Sequence, residues 1–151
     1  MQTLQRTQVL PISINEAWDF FSNPKNLKVI TLEFMRFDIT SVSKDSRMYP
    51  GMIITYIVSP IMNIPFNWVT GITHVNEPHY FVDNQKSGPF KFWHHQHFFK
   101  EVPSGVEMTD IVNYAAPFDP ISRPIEKTIV RQRVEMIFDF RYKKLYEMFG
   151  Q

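Results

Sequence analysis

Residues 90–114, FKFWHHQHFFKEVPSGVEMTDIVNY, show the two-residue alternation that is typical of two long β-strands. A Ser-Gly pair at 104–105 is a common connection for a tight hairpin. Counting outward from this turn pairs His97 with Val112 and places Asp110 diagonally across from His97. The segment is therefore predicted to form a β-hairpin.

Successive side chains of a strand point to opposite faces, so the hairpin has two different surfaces. The bulkier and more apolar surface, which we expect to point inward, carries Trp93, His95, His97, Phe99, Met108, Asp110, Val112 and Tyr114. The other surface carries His94, Gln96, Phe98, Lys100, Glu107, Thr109, Ile111 and Asn113. An inward surface that mixes large apolar groups with histidine, aspartate and tyrosine suits a ligand cavity better than a plain core.

Size and composition favour one domain over residues 1–151. The 16 basic and 15 acidic residues leave a net charge of +1, which argues against a nucleic-acid partner. The absence of cysteine excludes disulfides and thiolate zinc sites. We expect no transmembrane segment and a cytoplasmic location, because the chain lacks both a long apolar run and a signal-peptide pattern. An excess of aromatic residues, with 14 Phe and 8 Met, favours an adaptable apolar pocket.

The order of elements predicts an α+β protein. Ser13 and Glu16 form a capping-box pattern that opens a helix over residues 14–22, and a second short helix follows over 24–32. One long amphipathic helix is expected over 124–149. Further strands are expected over residues 3–12, 34–44, 52–58, 66–75 and 80–85. Consecutive strands with short turns imply an antiparallel meander, with the long helix across it and a hollow between them.

Nearly the whole chain resembles a known family, most clearly over residues 13–27, 81–99, 108–117 and 137–141. The most specific stretch matches the family pattern Asp-x-Gln-x-x-Gly-Pro followed by Trp-x-His-x-His-x-Phe. It is formed here by Asp83, Gln85, Gly88, Pro89, Trp93, His95, His97 and Phe99. On these residues the chain resembles the SRPBCC superfamily, which includes START domains, the birch-pollen allergen group, polyketide cyclases and coenzyme Q-binding proteins. It is most similar to the small bacterial members labelled polyketide cyclase/dehydrase-like or cell-division-inhibitor-like.

The resemblance implies a helix-grip fold. In this fold a curved antiparallel sheet of about six or seven strands wraps around a long C-terminal helix, with two short helices after the first strand. The resemblance also implies a hydrophobic-ligand cavity but no particular activity, because the fold hosts transporters, receptors and several enzymes. The chain departs from the family at residues 118–124, where relatives usually have glycines, which affects the expected geometry of the cavity mouth.

The preferred function is the binding or transport of a small hydrophobic molecule, such as a lipid, an isoprenoid or a polyketide-like compound. Apolar walls would supply most of the affinity, and polar side chains would orient a polar head group. No cofactor is expected, and the oligomeric state stays open. Ligand contacts are predicted for Trp93, His95, His97, Phe99, Met108, Asp110, Val112, Tyr114, Val134 and Phe138.

Two alternatives use the same cavity differently. A cyclase, lyase or hydrolase would use His97 or His95 as a general base, with Asp110 to orient it and Tyr114 as a hydrogen-bond donor. No nucleophile is evident for such an enzyme. A regulatory interaction protein with a vestigial cavity is the second alternative. A purely structural buried pair of His97 and Asp110 also fits the pattern.

Several polar residues receive structural interpretations. No metal site is expected: zinc needs three or four ligands, and the only histidines besides those of the hairpin, His74 and His79, are expected at a sheet end. Asp83 and Gln85 are expected to satisfy N–H groups of the following turn rather than to bind ligand. The polar positions of the last helix, which separate its apolar ones, include Arg131, Arg133, Arg141, Lys143 and Lys144.

Overall fold

One antiparallel sheet and a long helix dominate the computed structural model, which describes residues 1–31, 38–42, 47–59, 64–116 and 124–150. The sheet has the strand order β1-β7-β6-β5-β4-β3-β2. Its strands are β1 Gln2–Leu10, β2 Asp38–Val42, β3 Ile53–Val58, β4 Phe66–Asn76, β5 Tyr80–Ser87, β6 Phe92–Val102 and β7 Gly105–Ala115. The helices are α1 Ile14–Phe21, a 3₁₀ helix Pro24–Lys28 and α2 Pro124–Phe149.

This arrangement confirms the predicted α+β helix-grip fold. Strands β2 to β7 form a meander, and β1 adds to its far edge by pairing with β7. The second short helix is a 3₁₀ helix that ends at Lys28, so it is shorter than predicted. Residues 32–37 and 43–46, which include most of the predicted strand 34–44, lie outside the described residues, as do 117–123.

The hairpin of β6 and β7 has a different register from the predicted one. Val102 pairs with Gly105, so the turn residues are 103–104, and His97 pairs with Asp110. Gly105 has a φ of +134°, and a Cβ atom there would clash with the carbonyl oxygen of Leu10. The glycine is therefore needed both for this backbone conformation beside the turn and for the close approach of β1. The predicted register is wrong by two residues.

A shift of two residues keeps every side chain on its predicted face, since the side-chain period of a strand is two. The inward surface is confirmed in full, because all eight side chains assigned to it are buried. On the opposite surface, His94 Nδ1 lies 2.6 Å from Asn84 Oδ1 of the neighbouring strand. The sheet thus separates His94 from the two inward histidines.

Helix α1 begins at the predicted capping box. The backbone N–H of Glu16 donates to Ser13 Oγ (3.2 Å), and the backbone N–H of Ser13 donates to Glu16 Oε2 (2.9 Å). The buried face of the helix is anchored by Trp18, whose ring meets those of Phe81 and Phe99 edge-on at centroid distances of 6.0 Å. This packing holds α1 against β5 and β6.

Helix α2 packs its buried stripe against the sheet. The stripe consists of Val130, Val134, Phe138, Arg141 and Leu145. The sequence pattern grouped Arg141 with the polar positions, which is wrong, because it follows Phe138 by three residues and precedes Leu145 by four. That spacing brings side chains to one helix face. None of the described helices is long and apolar enough to cross a membrane.

Replacing Ser13 with alanine should lower the free energy of unfolding by about 1 kcal/mol, because a backbone N–H at the start of α1 loses its acceptor. Urea unfolding followed by circular dichroism measures the change. Ser104→Ala, in the exposed hairpin turn, is the matched control and should change the value by less than about 0.5 kcal/mol. Equal effects of the two substitutions would contradict a stabilising role for the capping box.

Candidate functional site

Three neighbouring strands bring two histidines and two aspartates together on the inward face of the sheet. Asp83 of β5 is the register partner of His95, and Asp110 of β7 is the register partner of His97. The histidines are two residues apart on β6, so their rings lie side by side with centroids 3.7 Å apart. The two carboxylates therefore flank the pair of rings from either side.

Each imidazole ring contacts both carboxylates. His97 Nε2–H donates to Asp83 Oδ2 at 2.8 Å, and His97 Nδ1 lies 3.0 Å from Asp110 Oδ1. His95 Nε2–H donates to Asp110 Oδ1 at 2.9 Å, and His95 Nδ1 lies 3.6 Å from Asp83 Oδ2. The predicted pair of His97 and Asp110 is thus part of a larger cluster.

Arg141 completes this cluster from α2. Its Nε atom lies 3.4 Å from Asp110 Oδ2, and its Nη2 atom lies 3.5 Å from His97 Nδ1. The guanidinium group also lies over the ring of Phe21, 5.4 Å from the centroid. Arg141 is 8% exposed. The charged head group of a helix residue therefore reaches the sheet instead of solvent.

The protonation of the cluster follows from burial and from these charges. Burial opposes ionisation of Asp110, but the Arg141 charge and hydrogen bonds from both histidines hold its pKa well below the ordinary value. Burial likewise opposes ionisation of Asp83, but the hydrogen bond from His97, together with the charges of the neighbouring histidines and Arg141, outweighs it, so the pKa of Asp83 is also lowered. Both carboxyl groups are therefore ionised at neutral pH.

The two histidines shift in opposite directions. Burial, together with the nearby His97, lowers the pKa of His95 to about 4. Burial also acts against a charge on His97, but its hydrogen bonds to Asp110 and Asp83 outweigh this and raise its pKa. The carboxylates of Asp83 and Asp110 and the guanidinium of Arg141 have a net charge of one negative unit. A proton or another cation bound by the histidines can balance this charge.

A cavity of about 120 Å³ lies between the sheet and α2, next to this cluster. Asp83, His95, His97 and Arg141 form its charged end. Its apolar walls come from β3 to β6, from α2 and from the segment after α1; they include Ile54, Val58, Trp68, Ile72, Phe81 and Ile137. Between these walls, Tyr56 Oη and Thr70 Oγ1 form a buried hydroxyl pair at 2.7 Å.

The predicted ligand-binding residues divide into two groups. Four of them line the cavity: Trp93, His95, His97 and Phe138. The other six are buried but do not line it: Phe99, Met108, Asp110, Val112, Tyr114 and Val134. Aromatic packing fills the space around two of these six, since Tyr114 contacts the rings of Phe90 and Trp93, and Phe99 contacts that of Phe21. The cavity consequently extends toward β3 and β4 rather than β7.

The lining residues that were not among the predicted site residues include Asp83, Arg141 and Tyr56. The turn-closing interpretation is confirmed for Gln85, whose side chain bonds the backbone N–H and C=O groups of Phe90. It is wrong for Asp83, which bonds His97 instead. The alternation in β5 already placed both side chains on one face, and only the strand pairing distinguishes their roles.

The antiparallel sheet and the long helix across it define the helix-grip fold. The chain is similar to Ms6760 from Mycobacterium smegmatis (20% identity, TM-score 0.67, 97% of this chain and 89% of that one). It is also similar to TTHA0849 from Thermus thermophilus, with 13% identity, a TM-score of 0.70, and 97% of this chain and 95% of that one covered. A third similar structure is the Bet v 1-like allergen Ara h 8.0201, with 12% identity, a TM-score of 0.60, and 97% of this chain and 98% of that one covered.

At these identities the likeness establishes the fold alone, which is the helix-grip fold that the resemblance in the sequence implies. No protein-family model matches the chain, and no curated protein is significantly similar to it. The function must therefore be argued from the cavity and its cluster.

Replacing Arg141 with methionine should lower the free energy of unfolding by about 3–5 kcal/mol, because Asp110 remains buried without its counter-charge. Chemical denaturation measures the loss. Lys143→Met, on the exposed side of the same helix, should change stability by less than about 0.5 kcal/mol. The double variant with Asp110→Asn should be more stable than Arg141→Met alone, and equal stability of the two would contradict this pairing.

Proposed function

We propose that the protein binds a small, mostly hydrophobic molecule in the cavity between sheet and helix, as a carrier or sensor. The observation that carries this proposal is an apolar cavity with its charged groups gathered at one end. Such an arrangement buries the body of a ligand and orients its polar head. Within the cavity, we assign apolar contacts to Trp93 and Phe138 and polar contacts to His95 and His97.

The size of the cavity narrows the class of ligand. Its volume of about 120 Å³ is close to that of an engineered protein cavity of roughly 150 Å³ that binds benzene. Drug-sized ligands occupy roughly 300–1,000 Å³. A single aromatic ring with a short substituent therefore fits better than a lipid or an isoprenoid, for which the walls would have to move. Among the predicted ligand types, a small polyketide-like aromatic compound fits best.

Two kinds of polar group are available to such a ligand. The charged cluster suits a head group that donates and accepts hydrogen bonds. Burial raises the pKa of the Tyr56 hydroxyl, which therefore stays protonated next to Thr70. A neutral hydroxyl pair at this position would favour a carbonyl or hydroxyl substituent over a second charge. We propose a ring-sized ligand with a polar substituent at each end.

Filling the cavity should abolish binding without loss of the fold. Ile54 is fully buried and lines the cavity, whereas Ile53, its neighbour on β3, is 47% exposed. Ile54→Phe should weaken the binding of phenol and toluene at least tenfold, because the added ring occupies the ligand volume. Calorimetric titration measures the affinity. The control Ile53→Phe should bind as the natural protein does.

Native mass spectrometry, followed by extraction of any co-purified compound, tests the class of ligand directly. Ring-sized compounds that bind the natural protein and the Ile53 variant but not the Ile54 variant support the proposal. Failure of such compounds to bind or to stabilise the natural protein would contradict it.

A second candidate function, an enzyme that abstracts a proton from carbon, is favoured by one observation. His97 lines the cavity and donates to Asp83 at 2.8 Å, and a carboxylate partner of this kind raises the basicity of a histidine. Its Nδ1 atom, which lies 3.0 Å from Asp110 Oδ1, would have to leave that carboxylate to accept a proton from a substrate. Among the lining residues that the structure describes there is no serine or cysteine, so an acyl-enzyme mechanism has no obvious nucleophile. The reaction class would then be a cyclisation or an elimination.

A general base at His97 should accelerate the exchange of the methyl protons of acetophenone in D₂O, a reaction followed by NMR. His97→Asn should slow the catalysed exchange at least ~100-fold, within the usual range for loss of a general base. His94→Asn, on the opposite face of the same strand, should leave the rate unchanged. Exchange no faster than in buffer would remove His97 from this role for carbon acids of that size.

A further inference from the structure

We infer that Asp83, His95 and His97 form a binding site for one divalent transition-metal ion, such as Zn²⁺, at the charged end of the cavity. Each of the three residues offers one ligand atom, and these atoms lie within 4.8 Å of one another. This inference does not depend on the proposed hydrophobic ligand, because metal binding can be measured in its absence.

The ligand-to-ligand distances fit an ion of this kind. Two ligand atoms ~2.1 Å from an ion and at a tetrahedral angle are about 3.4 Å apart. Asp83 Oδ2 lies 2.8 Å from His97 Nε2 and 3.6 Å from His95 Nδ1, which are values on either side of that separation. An ion can therefore replace the proton between Asp83 and His97 with a small adjustment of the rings.

The strand geometry places these ligands on one side of the ion. Two histidines in a His-x-His pair on one strand project in the same direction, and Asp83 projects beside them from the adjacent strand. All three residues line the cavity. Two histidines and one carboxylate on one face form a known arrangement that leaves further coordination positions open. Here those positions face the cavity, where a water molecule or a ligand atom can occupy them.

The cluster also contains the groups that usually support metal-binding histidines. Such histidines generally donate their second ring N–H to a carboxylate, which fixes the tautomer and the orientation of the ring. Asp110 fulfils this role for both rings, because its Oδ1 atom accepts from His95 Nε2 and lies 3.0 Å from His97 Nδ1. Arg141 in turn pairs with Asp110 and holds it in place.

Charge favours a cation over an anion at this position. With both histidines neutral, Asp83, Asp110 and Arg141 leave one negative charge in a buried site. A buried charge without a partner is costly, so the site is expected to attract a positive species. The third ligand was not foreseen from the sequence, because Asp83 belongs to a different strand from the histidines and was assigned to the following turn.

The test uses the purified, chelator-stripped protein and two probes, Zn²⁺ in calorimetric titration and Co²⁺ in visible absorption. We expect one ion per chain and the d–d bands of Co²⁺ with nitrogen and oxygen ligands. His95→Ala, His97→Ala and Asp83→Asn should each weaken binding at least ~100-fold, since a ligand is lost. Asp110→Asn should weaken it about 10–100-fold through misoriented rings.

His94→Ala is the matched control, because it removes a histidine from the outward face of the same strand, and its affinity should be unchanged. Equal losses in His94→Ala and His97→Ala would assign the ion to the surface and overturn the inference. Unchanged metal affinity in Asp83→Asn would also overturn the inference. Because this change is isosteric, the test stays decisive if an alanine variant fails to fold. Ile54→Phe should retain Co²⁺, so failure of the hydrophobic-ligand proposal would be recognised separately.

Metal binding and the general-base role exclude each other at His97, because a nitrogen bound to a metal cannot accept a proton. Stoichiometric binding would assign any proton transfer to a metal-bound water molecule, whose pKa the ion lowers. Absence of binding of either probe would overturn the inference and leave a proton as the group that balances the charge.

Discussion

The buried carboxylate of Asp110 is the group on which the polar interior depends. It is 2% exposed and contacts a histidine pair on one neighbour in the sheet and an arginine on the covering helix. An ionised carboxylate in such a position is stable only when its partners are in place. This one residue therefore links three features of the structure. They are the position of α2 on the sheet, the side of α2 from which Arg141 projects, and the orientation of both imidazole rings.

The division of the interior between packing and cavity follows from this constraint. Near β7 the inward side chains are held by the cluster and by aromatic contacts, and little space remains. Toward β3 and β4 the walls are apolar and no charged group among the described residues bridges sheet and helix, so that a cavity can remain there. Charge at one end and apolar walls at the other give a bound molecule a defined direction. The same arrangement lets a molecule in the cavity reach the cluster residues that form its charged end.

The sequence predicted the fold and the inward face of the hairpin, because both depend on periodicity. Alternation assigned eight side chains to the interior correctly even though the register was wrong by two residues. The cross-strand pairs depend on register, and the predicted register was wrong because Gly105 is the first residue of β7 and not a residue of the turn. Periodicity within one strand does not tell which strand is adjacent, so the contact of Asp83 with His97 was not predictable in this way.

Arg141 is a different case, because its signal was present in the sequence. The positions 134, 138, 141 and 145 follow the spacing of a buried helix stripe, but a charged residue is rarely fully buried unless it is paired. Its partner, Asp110, is distant in the chain, so the sequence did not show that Arg141 is paired. The general expectation that an arginine is exposed was therefore preferred over the spacing that placed it in the buried stripe. The size of the cavity could not be predicted from the sequence either, since it is the small volume that remains after many side chains have packed.

The order of the cluster residues along the chain has a consequence for synthesis in the cell. Asp83, His95, His97 and Asp110 leave the ribosome first, and Arg141 follows about thirty residues later by the numbering. Until then strands β5 to β7 carry the two aspartates and two histidines of the cluster without the guanidinium that pairs with Asp110. Because burial of an unpaired carboxylate is costly, we expect Asp110 to stay hydrated until α2 has been synthesised. The free energy gained by burying the cluster is thus available only after Arg141 has joined it.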